Sequence, residues 1–241
     1  MSKRDRIMLT RSAEDCAAWA DELARRGAEP IVFPCIDTEI IDDVETRAAL
    51  GRAIRGADWL VFTSKRGVSA FASLCGRSLP DCARIATVGA STADAARAAL
   101  GRVDLVGAGG TAAALARDLI GAAPGSPRTL LVLAENAATV LEDALSAAGH
   151  HIERIDVYRT IPKPERSPKL RFSTFSADWV FLASPSSSTG FTNQIDLDCD
   201  ARFVTIGPTT TQAARTHGLD PLRQARTPSL SGLMEAIECP A

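Results

Sequence analysis

The sequence predicts an α/β protein with parallel sheets, built from two copies of one unit. Three observations carry this. The stretch 58–71, Asp-Trp-Leu-Val-Phe-Thr-Ser-Lys-Arg-Gly-Val-Ser-Ala-Phe, returns at 178–191 as Asp-Trp-Val-Phe-Leu-Ala-Ser-Pro-Ser-Ser-Ser-Thr-Gly-Phe, an offset of 120 residues. Further echoes follow at nearly the same spacing. Residues 84–93 match 202–211, Thr111 with Leu115 and Leu119 matches Ser229 with Leu233 and Ile237, and 7–30 parallels 129–152 aligned on Gly27 and Gly149. Finally, short apolar runs bounded by turn signals alternate with helical patterns, the rhythm of buried parallel strands and their crossover helices.

Residues 7–10 read as a strand, and Ser12 with Asp15 opens a helix whose stripe is Cys16, Trp19, Ala20 and Leu23. Gly27 ends it as a left-handed cap. A strand at 31–33 stops at Pro34, and 35–42 alternates Ile36, Thr38 and Ile40 with Asp37 and Glu39, an exposed extended segment. A helix over 44–55 precedes the buried strand 59–62 and a helix over 67–75. The strand 85–88 leads to a helix opened by Ser91 with Asp94 and stopped at Gly101, then a strand at 103–106 and a helix over 111–120. After the turn Pro124-Gly-Ser-Pro127 come strand 130–133 and a helix capped by Thr139 with Glu142. Residues 152–160 form a long alternating strand that ends in a proline-rich linker, 162–168. Strand 179–183, helix 187–195, strand 203–206, helix 210–217 and helix 229–238 complete the chain. The two alternating stretches near 36–41 and 154–161 stand outside the strand–helix rhythm, and pairing them would make a connector.

The totals exclude several classes of function. With 241 residues, 46% hydrophobic and 23% charged, the chain suits one large or two small globular domains. A net charge of −2 gives no global attraction for nucleic acid or an acidic membrane. The N-terminus lacks the apolar core of a signal peptide, and no run approaches transmembrane length. Six cysteines, Cys16, Cys35, Cys75, Cys82, Cys199 and Cys239, show no metal-ligand spacing and read as buried free thiols, which suits a reducing cytosol. His150, His151 and His217 sit near helix ends, where cations are favoured, rather than in a metal pattern.

Four matched turns draw attention: Thr63-Ser64-Lys65-Arg66, Gly89-Ala-Ser-Thr92, Ser184-Pro-Ser186-Ser187 and Gly207-Pro-Thr209-Thr210. Each sets small hydroxyl residues between a strand end and a helix start, where backbone N–H groups and the helix dipole suit an anion. Any one of them can be an ordinary helix cap. In duplicate they point to a carboxylate- or phosphate-binding cleft. Arg11, Lys65, Arg66 and Arg159 lie near strand ends and could add charge-assisted contacts. Tyr158, the single tyrosine, is a packing residue or, facing a cleft, a proton donor to a leaving group. Gly107-Ala-Gly109-Gly-Thr-Ala112, with Glu135 ending the next strand, mimics a dinucleotide fingerprint, although its spacing is long and its second-copy equivalents are not glycines.

Thr10-Arg11, Phe62-Thr63-Ser64 with Val68, Val88-Gly89 with Thr92-Ala93, Val157-Tyr158-Arg159-Thr160 and Ile206-Gly207-Pro208-Thr209-Thr210 together resemble the uroporphyrinogen-III synthase family, in the family's order along nearly the whole chain. Ser12 and Ala138 stand where that family often has proline and arginine. The resemblance implies two flavodoxin-like doubly wound parallel-sheet domains, one of 1–35 plus 165–241 and one of 42–153, joined by a two-stranded β connector at 36–41 and 154–164. It implies cyclisation of hydroxymethylbilane to uroporphyrinogen III with inversion of ring D and loss of water, without cofactor or metal. Tyr158 would assist hydroxyl departure. Arg11, Thr63, Ser64, Lys65, Arg66, Thr92, Ser184, Ser186, Thr209 and Thr210 would bind the substrate's carboxylates. The expected setting is a cytoplasmic monomer whose partner is a small tetrapyrrole, with transient contact to the preceding deaminase and with neither nucleic acid nor membrane. Two other readings stay open: a two-lobed anion-binding protein without catalysis, and a dinucleotide-dependent enzyme using Gly107 to Ala112.

Overall fold

The two repeated apolar runs form strands at the centres of two separate parallel sheets in the computed structural model, which describes residues 4–76 and 82–238. The chain begins with β1 (Arg6–Leu9), α1 (Ala13–Arg25), β2 (Glu29–Val32) and β3 (Ile36–Ile40). It continues through α2 (Val44–Ile54), β4 (Trp59–Phe62), α3 (Lys65–Cys75), β5 (Arg84–Thr87), α4 (Ala90–Leu100), β6 (Leu105–Val106), α5 (Ala112–Ala122), β7 (Arg128–Ala134), α6 (Val140–Ala147) and β8 (His151–Pro162). It closes with β9 (Leu170–Arg171), a 3₁₀ turn (Phe172–Phe175), β10 (Trp179–Leu182), α7 (Pro185–Gln194), β11 (Ile195–Asp196), β12 (Phe203–Thr205), α8 (Pro208–Thr216), β13 (Pro221–Gln224) and α9 (Leu230–Glu238). Two units result: Met1–Thr38 with Thr160–Ala241, and Glu39–Arg159.

The first unit holds a five-stranded sheet in the order β13-β12-β10-β1-β2, parallel throughout. The second holds the order β3-β8-β7-β4-β5-β6, with β4 to β8 parallel. The two alternating stretches lie side by side, as β3 and β8, but as part of this second sheet. Matching strands by the sequence repeat pairs β1 with β7, β2 with β8, β10 with β4, β12 with β5 and β13 with β6. Both units then share the order 2-1-3-4-5 of doubly wound flavodoxin-type sheets. Along the chain the copies run in tandem, yet each sheet takes strands 1 and 2 from one copy and strands 3 to 5 from the other.

Apolar residues on both faces of the central strands bury both faces of each sheet. In the first unit Ile7, Leu9, Trp179 and Phe181 pack with residues of α1 and α9, while Met8, Val180, Leu182 and Phe203 pack with residues of α7 and α8. In the second, Leu60, Phe62, Ile85, Leu130 and Val132 face α2, α3 and α4, and Trp59, Val61, Leu131 and Leu133 face α5 and α6. The duplicated Asp-Trp is a structural clamp at the amino ends of the strands. Asp58 accepts the Arg128 N–H at 2.8 Å while the Arg84 guanidinium lies over Trp59; Asp178 accepts the Arg6 N–H at 2.9 Å while that of Arg202 lies over Trp179. Gly27 and Gly149, at φ +87° and +92°, end α1 and α6 in the same way.

Several sequence expectations change. β13 was not expected; Pro221-Leu-Arg-Gln is a polar edge strand without an apolar run. The helix expected to open at Ser91 begins at Ala90 behind Gly89, and Thr139 caps α6 without a side-chain bond to its amides, its hydroxyl donating to Asp143 instead. α3, α7 and α8 begin two residues before the expected starts, because their capping residues precede the first apolar side chain. The 162–168 linker is tied down: Lys163 N–H donates to Cys35 O and Arg166 N–H to Asn193 O. Cys16 and Cys35 are buried, and burial raises both thiols, Cys16 to about 11. Cys75 is only partly covered, Cys82 and Cys199 are exposed, and Cys239 lies outside the described residues.

Close packing makes some glycines irreplaceable. A Cβ on Gly190 would meet Cys35 O at 1.8 Å, whereas one on Gly51 in α2 would meet nothing within 4 Å. Gly190→Ala is expected to cost about 3 kcal/mol or more, or to prevent folding. Gly51→Ala is expected to stabilise by about 0.5–1 kcal/mol. Urea unfolding of both variants checks the pair. His150 is 6% exposed beside Thr129, and desolvation lowers its pKa. The unfolded state therefore takes up that proton first, so stability is fullest above about pH 6.5 and falls as pH drops below it. His150→Asn should flatten the loss of unfolding free energy between pH 7.5 and 5.5, measured by urea titration at each pH.

Candidate active site

Doubly wound sheets bind ligands at the carboxyl ends of their strands, beside the point where strand order reverses. In the second unit that point lies between β7 and β4, and β4 runs directly into Thr63 and Ser64. Ser64, in extended backbone, caps α3: its Oγ accepts the Gly67 N–H at 2.9 Å. The same Oγ lies 2.9 Å from Tyr158 Oη, which arrives on β8. The register of β8 on β7 shifts between Leu133 and Ala134, so Val157 and Tyr158, neighbours in sequence, are both buried in one core cluster. Such a bulge re-aims a side chain that strict alternation would send to the other face. Tyr158 is thus 8% exposed, its ring in the core and its hydroxyl at the start of α3. A Cβ on Gly67 would press on Ser64 Oγ and Val132 O at 3.3 Å, the cap and the neighbouring strand, and would only touch Tyr158 Cε1, at an ordinary 3.8 Å. Sequence reading passed over Gly67; a glycine three residues past a serine cap was the available signal.

The four turns separate into two kinds. After the third strand of each unit the cap is serine, Ser64 or Ser184, and the serine oxygen takes an amide of its own helix. At Ser184 the box is closed on both sides, Ser187 N–H donating to Ser184 Oγ at 3.1 Å and Ser184 N–H to Ser187 Oγ at 3.0 Å. After the fourth strand the cap is Gly89 or Gly207, and neither α4 nor α8 has a side-chain cap. The first N–H groups there, of Ala90, Ser91 and Thr92 in α4 and of Thr209 and Thr210 in α8, lack intrahelical acceptors. Thr92 and Thr210 are buried and Thr209 is exposed.

The other candidates are placed as follows. Lys65 and Arg66 occupy the first turn of α3, at the positive end of the helix dipole, and Ser186 is half-buried in the first turn of α7. In the first unit Thr10 donates to Phe181 O at 2.7 Å. Arg11 lies over the Trp19 ring and bonds Asp15, while its Nε is buried without a hydrogen-bond partner. Arg159 is held by Glu39 at 2.7 Å. Arg154, not singled out in sequence, bonds Glu142, Asp156 and the carbonyls of Ala134, Glu135 and Ala137, fixing the segment after β7.

The dinucleotide reading fails on topology. The glycine-rich loop follows β6 at the sheet edge, and β4 and β5 separate it from β7, after which Glu135 stands in a turn. Its amides and space are already used: Ala108 N–H donates to Asp118, and Cβ atoms on Gly107 and Gly109 would meet Val88 O at 3.1 Å and Ala114 Cβ at 2.6 Å. Among the described residues no group of three His, Cys, Asp or Glu side chains gathers as a metal site, and no helix is long and apolar enough to cross a membrane.

A family model described as uroporphyrinogen-III synthase HemD matches residues 17–235. The porphyrin biosynthesis protein HemD of Ruminiclostridium josui is 26% identical over 224 residues, covering 89% of this chain and 44% of that protein. The chloroplastic uroporphyrinogen-III synthase of Oryza sativa subsp. japonica is 26% identical over 240 residues, covering 96% of this chain and 79% of that protein. The chain thus spans less than half the length of the first relative and about four fifths of the second. The crystal structure of uroporphyrinogen-III synthetase from Helicobacter pylori 26695 shares the fold, with a TM-score of 0.56 and 14% identity over 97% of both chains. With the model matched across most of its length, the chain belongs to the uroporphyrinogen-III synthase family.

Proposed function

We propose that this chain closes hydroxymethylbilane to uroporphyrinogen III, inverting ring D and releasing water. The observation that carries the reading is Tyr158 Oη, held 2.9 Å from the Ser64 hydroxyl at the head of α3. A linear hydroxymethyl pyrrole loses its hydroxyl readily, so the catalyst must mainly fold and orient it. Tyr158 donates its phenolic proton to the departing oxygen as the C–O bond breaks, which releases water and leaves an azafulvenium ion and a phenolate. Ring D closes on that carbon and inverts through a spiro intermediate. The proton lost when the ring regains aromaticity restores the phenol.

The substrate's acetates and propionates need N–H donors more than bulk charge. Gly89 and Gly207 leave helix amides without a side-chain cap, and Lys65 and Arg66 stand in the first turn of α3, where the helix dipole also favours an anion. Thr63, Ser64, Thr92, Ser184, Ser186, Thr209, Thr210 and Arg11 stand at such corners of their own units and belong to the same reading. So does work as a cytoplasmic monomer in transient contact with the preceding deaminase; the free thiols at Cys16, Cys35, Cys75, Cys82 and Cys199 suit a reducing compartment.

The test couples the preceding deaminase and porphobilinogen with this protein, then oxidises the products and separates the uroporphyrin isomers. The type III isomer is expected, and type I alone would overturn the assignment. Substrate bound without turnover would favour the non-catalytic anion binder. Gly89→Ser supplies the absent cap in a backbone conformation any residue adopts, its Cβ meeting Gly110 Cα at an ordinary 3.7 Å. It is expected to leave the melting temperature equal or higher and to raise KM about tenfold by occupying amides meant for a carboxylate.

A further inference from the structure

The two serine-capped corners are copies of one another, and they have diverged in a way that assigns a role to the cap itself. At the third helical position the first unit has Ser187 and the second has Gly67. Ser187 closes the capping box, its Oγ donating to Ser184 O at 2.7 Å and accepting the Ser184 N–H, so both sides of that box are made within the corner. Gly67 leaves the box open, and the Tyr158 ring lies beside it, Cε1 standing 3.8 Å from where a Cβ would be. By the offset of the repeat, the first-unit position matching Tyr158 is Ile36, and Tyr158 is the single tyrosine of the chain.

A serine hydroxyl has one proton to give and two lone pairs. At Ser64 one lone pair takes the Gly67 N–H. Tyr158 Oη lies at 2.9 Å, and either oxygen can be the donor. Were the phenol to donate, its proton would already be committed and would have to be withdrawn before reaching a leaving group.

We propose that Ser64 is a positioning residue for Tyr158: its hydroxyl donates to the phenolic oxygen, so that the Tyr158 O–H is aimed at the departing hydroxyl. This rests on the synthase reading and revises the part of Ser64 in it, from carboxylate contact to orienting group. As the phenolic proton leaves, the oxygen that receives the Ser64 hydrogen bond becomes charged, and that bond strengthens. The bond also carries to the phenolate the field of the α3 amino terminus. Ser64 thereby acts where charge develops, an effect on kcat rather than on binding.

A double-mutant cycle on type III isomer formation tests this, with Ser64→Ala, Tyr158→Phe and the pair, each checked by thermal melting. Ser64→Ala is expected to lower kcat about tenfold with KM within about twofold, and to lower it no further in the Tyr158→Phe background. Ser64→Thr, which keeps acceptor and donor, should recover most of the loss. Ser64→Asp keeps the cap but has no proton to give; it keeps the test open if Ser64→Ala does not fold, and its kcat should fall and again be insensitive to Tyr158→Phe. Additive losses, or a raised KM at unchanged kcat, would return Ser64 to carboxylate binding and overturn the proposal. A wild-type protein yielding type I alone would instead remove the synthase reading on which the proposal stands.

Discussion

Everything at the candidate site of the second unit depends on one pairing, β7 beside β4. These two strands come from different copies of the repeat, and they meet at Trp59↔Thr129 through Phe62↔Val132. Because connections leave the two strands in opposite directions, the backbone opens just beyond Phe62 and Ala134. Ser64 can then begin a helix there and β8 can bring Tyr158 alongside. Buried apolar side chains on both faces lock the register, since a slip of one residue would turn each strand's core set around. The first unit is built on the same constraint, β1 beside β10, and carries no tyrosine at its corner.

The strands buried on both faces were legible because their composition is itself the signal. Residues 59–62 and 179–182 are continuous apolar runs after an Asp, and they form β4 and β10 with those beginnings. The tandem offset was legible too, and it correctly matched strand with strand and cap with cap. No residue pattern showed which copy pairs with which, because parallel partners so far apart leave no local signal; only the family resemblance implied it. β13 was missed for the opposite reason: an edge strand buries little, so Pro221 to Gln224 need not be an apolar run, and Pro-Leu-Arg-Gln reads as loop.

The candidate site was read in the sequence as a set of residue types and positions, not as a geometry. Thr63, Ser64 and Tyr158 were chosen from their types and positions, and the structure joins Ser64 to Tyr158. No periodicity rule could supply the bulge at Leu133/Ala134 that turns Tyr158 into the core cluster. Nor could spacing divide the four hydroxyl-rich turns into those whose serine consumes an amide and those whose glycine leaves amides open. Duplication alone was a poor guide to chemistry: the strongest echo, Asp-Trp, fastens the far ends of the strands through Asp58 with Arg128 and Asp178 with Arg6.

The exchange of strands between copies also sets an order of events at the ribosome. Glu39–Arg159 carries five consecutive strands, β4 to β8, so its parallel sheet is fully supplied once Arg159 has emerged. The strand–helix–strand ahead of it in the chain differs: β1 must wait for Trp179 to Leu182 before its inner edge is covered. Nascent chains usually mature from their amino end; here the inserted unit has all its strands before the unit that encloses it does, so synthesis completes the later-starting unit earlier.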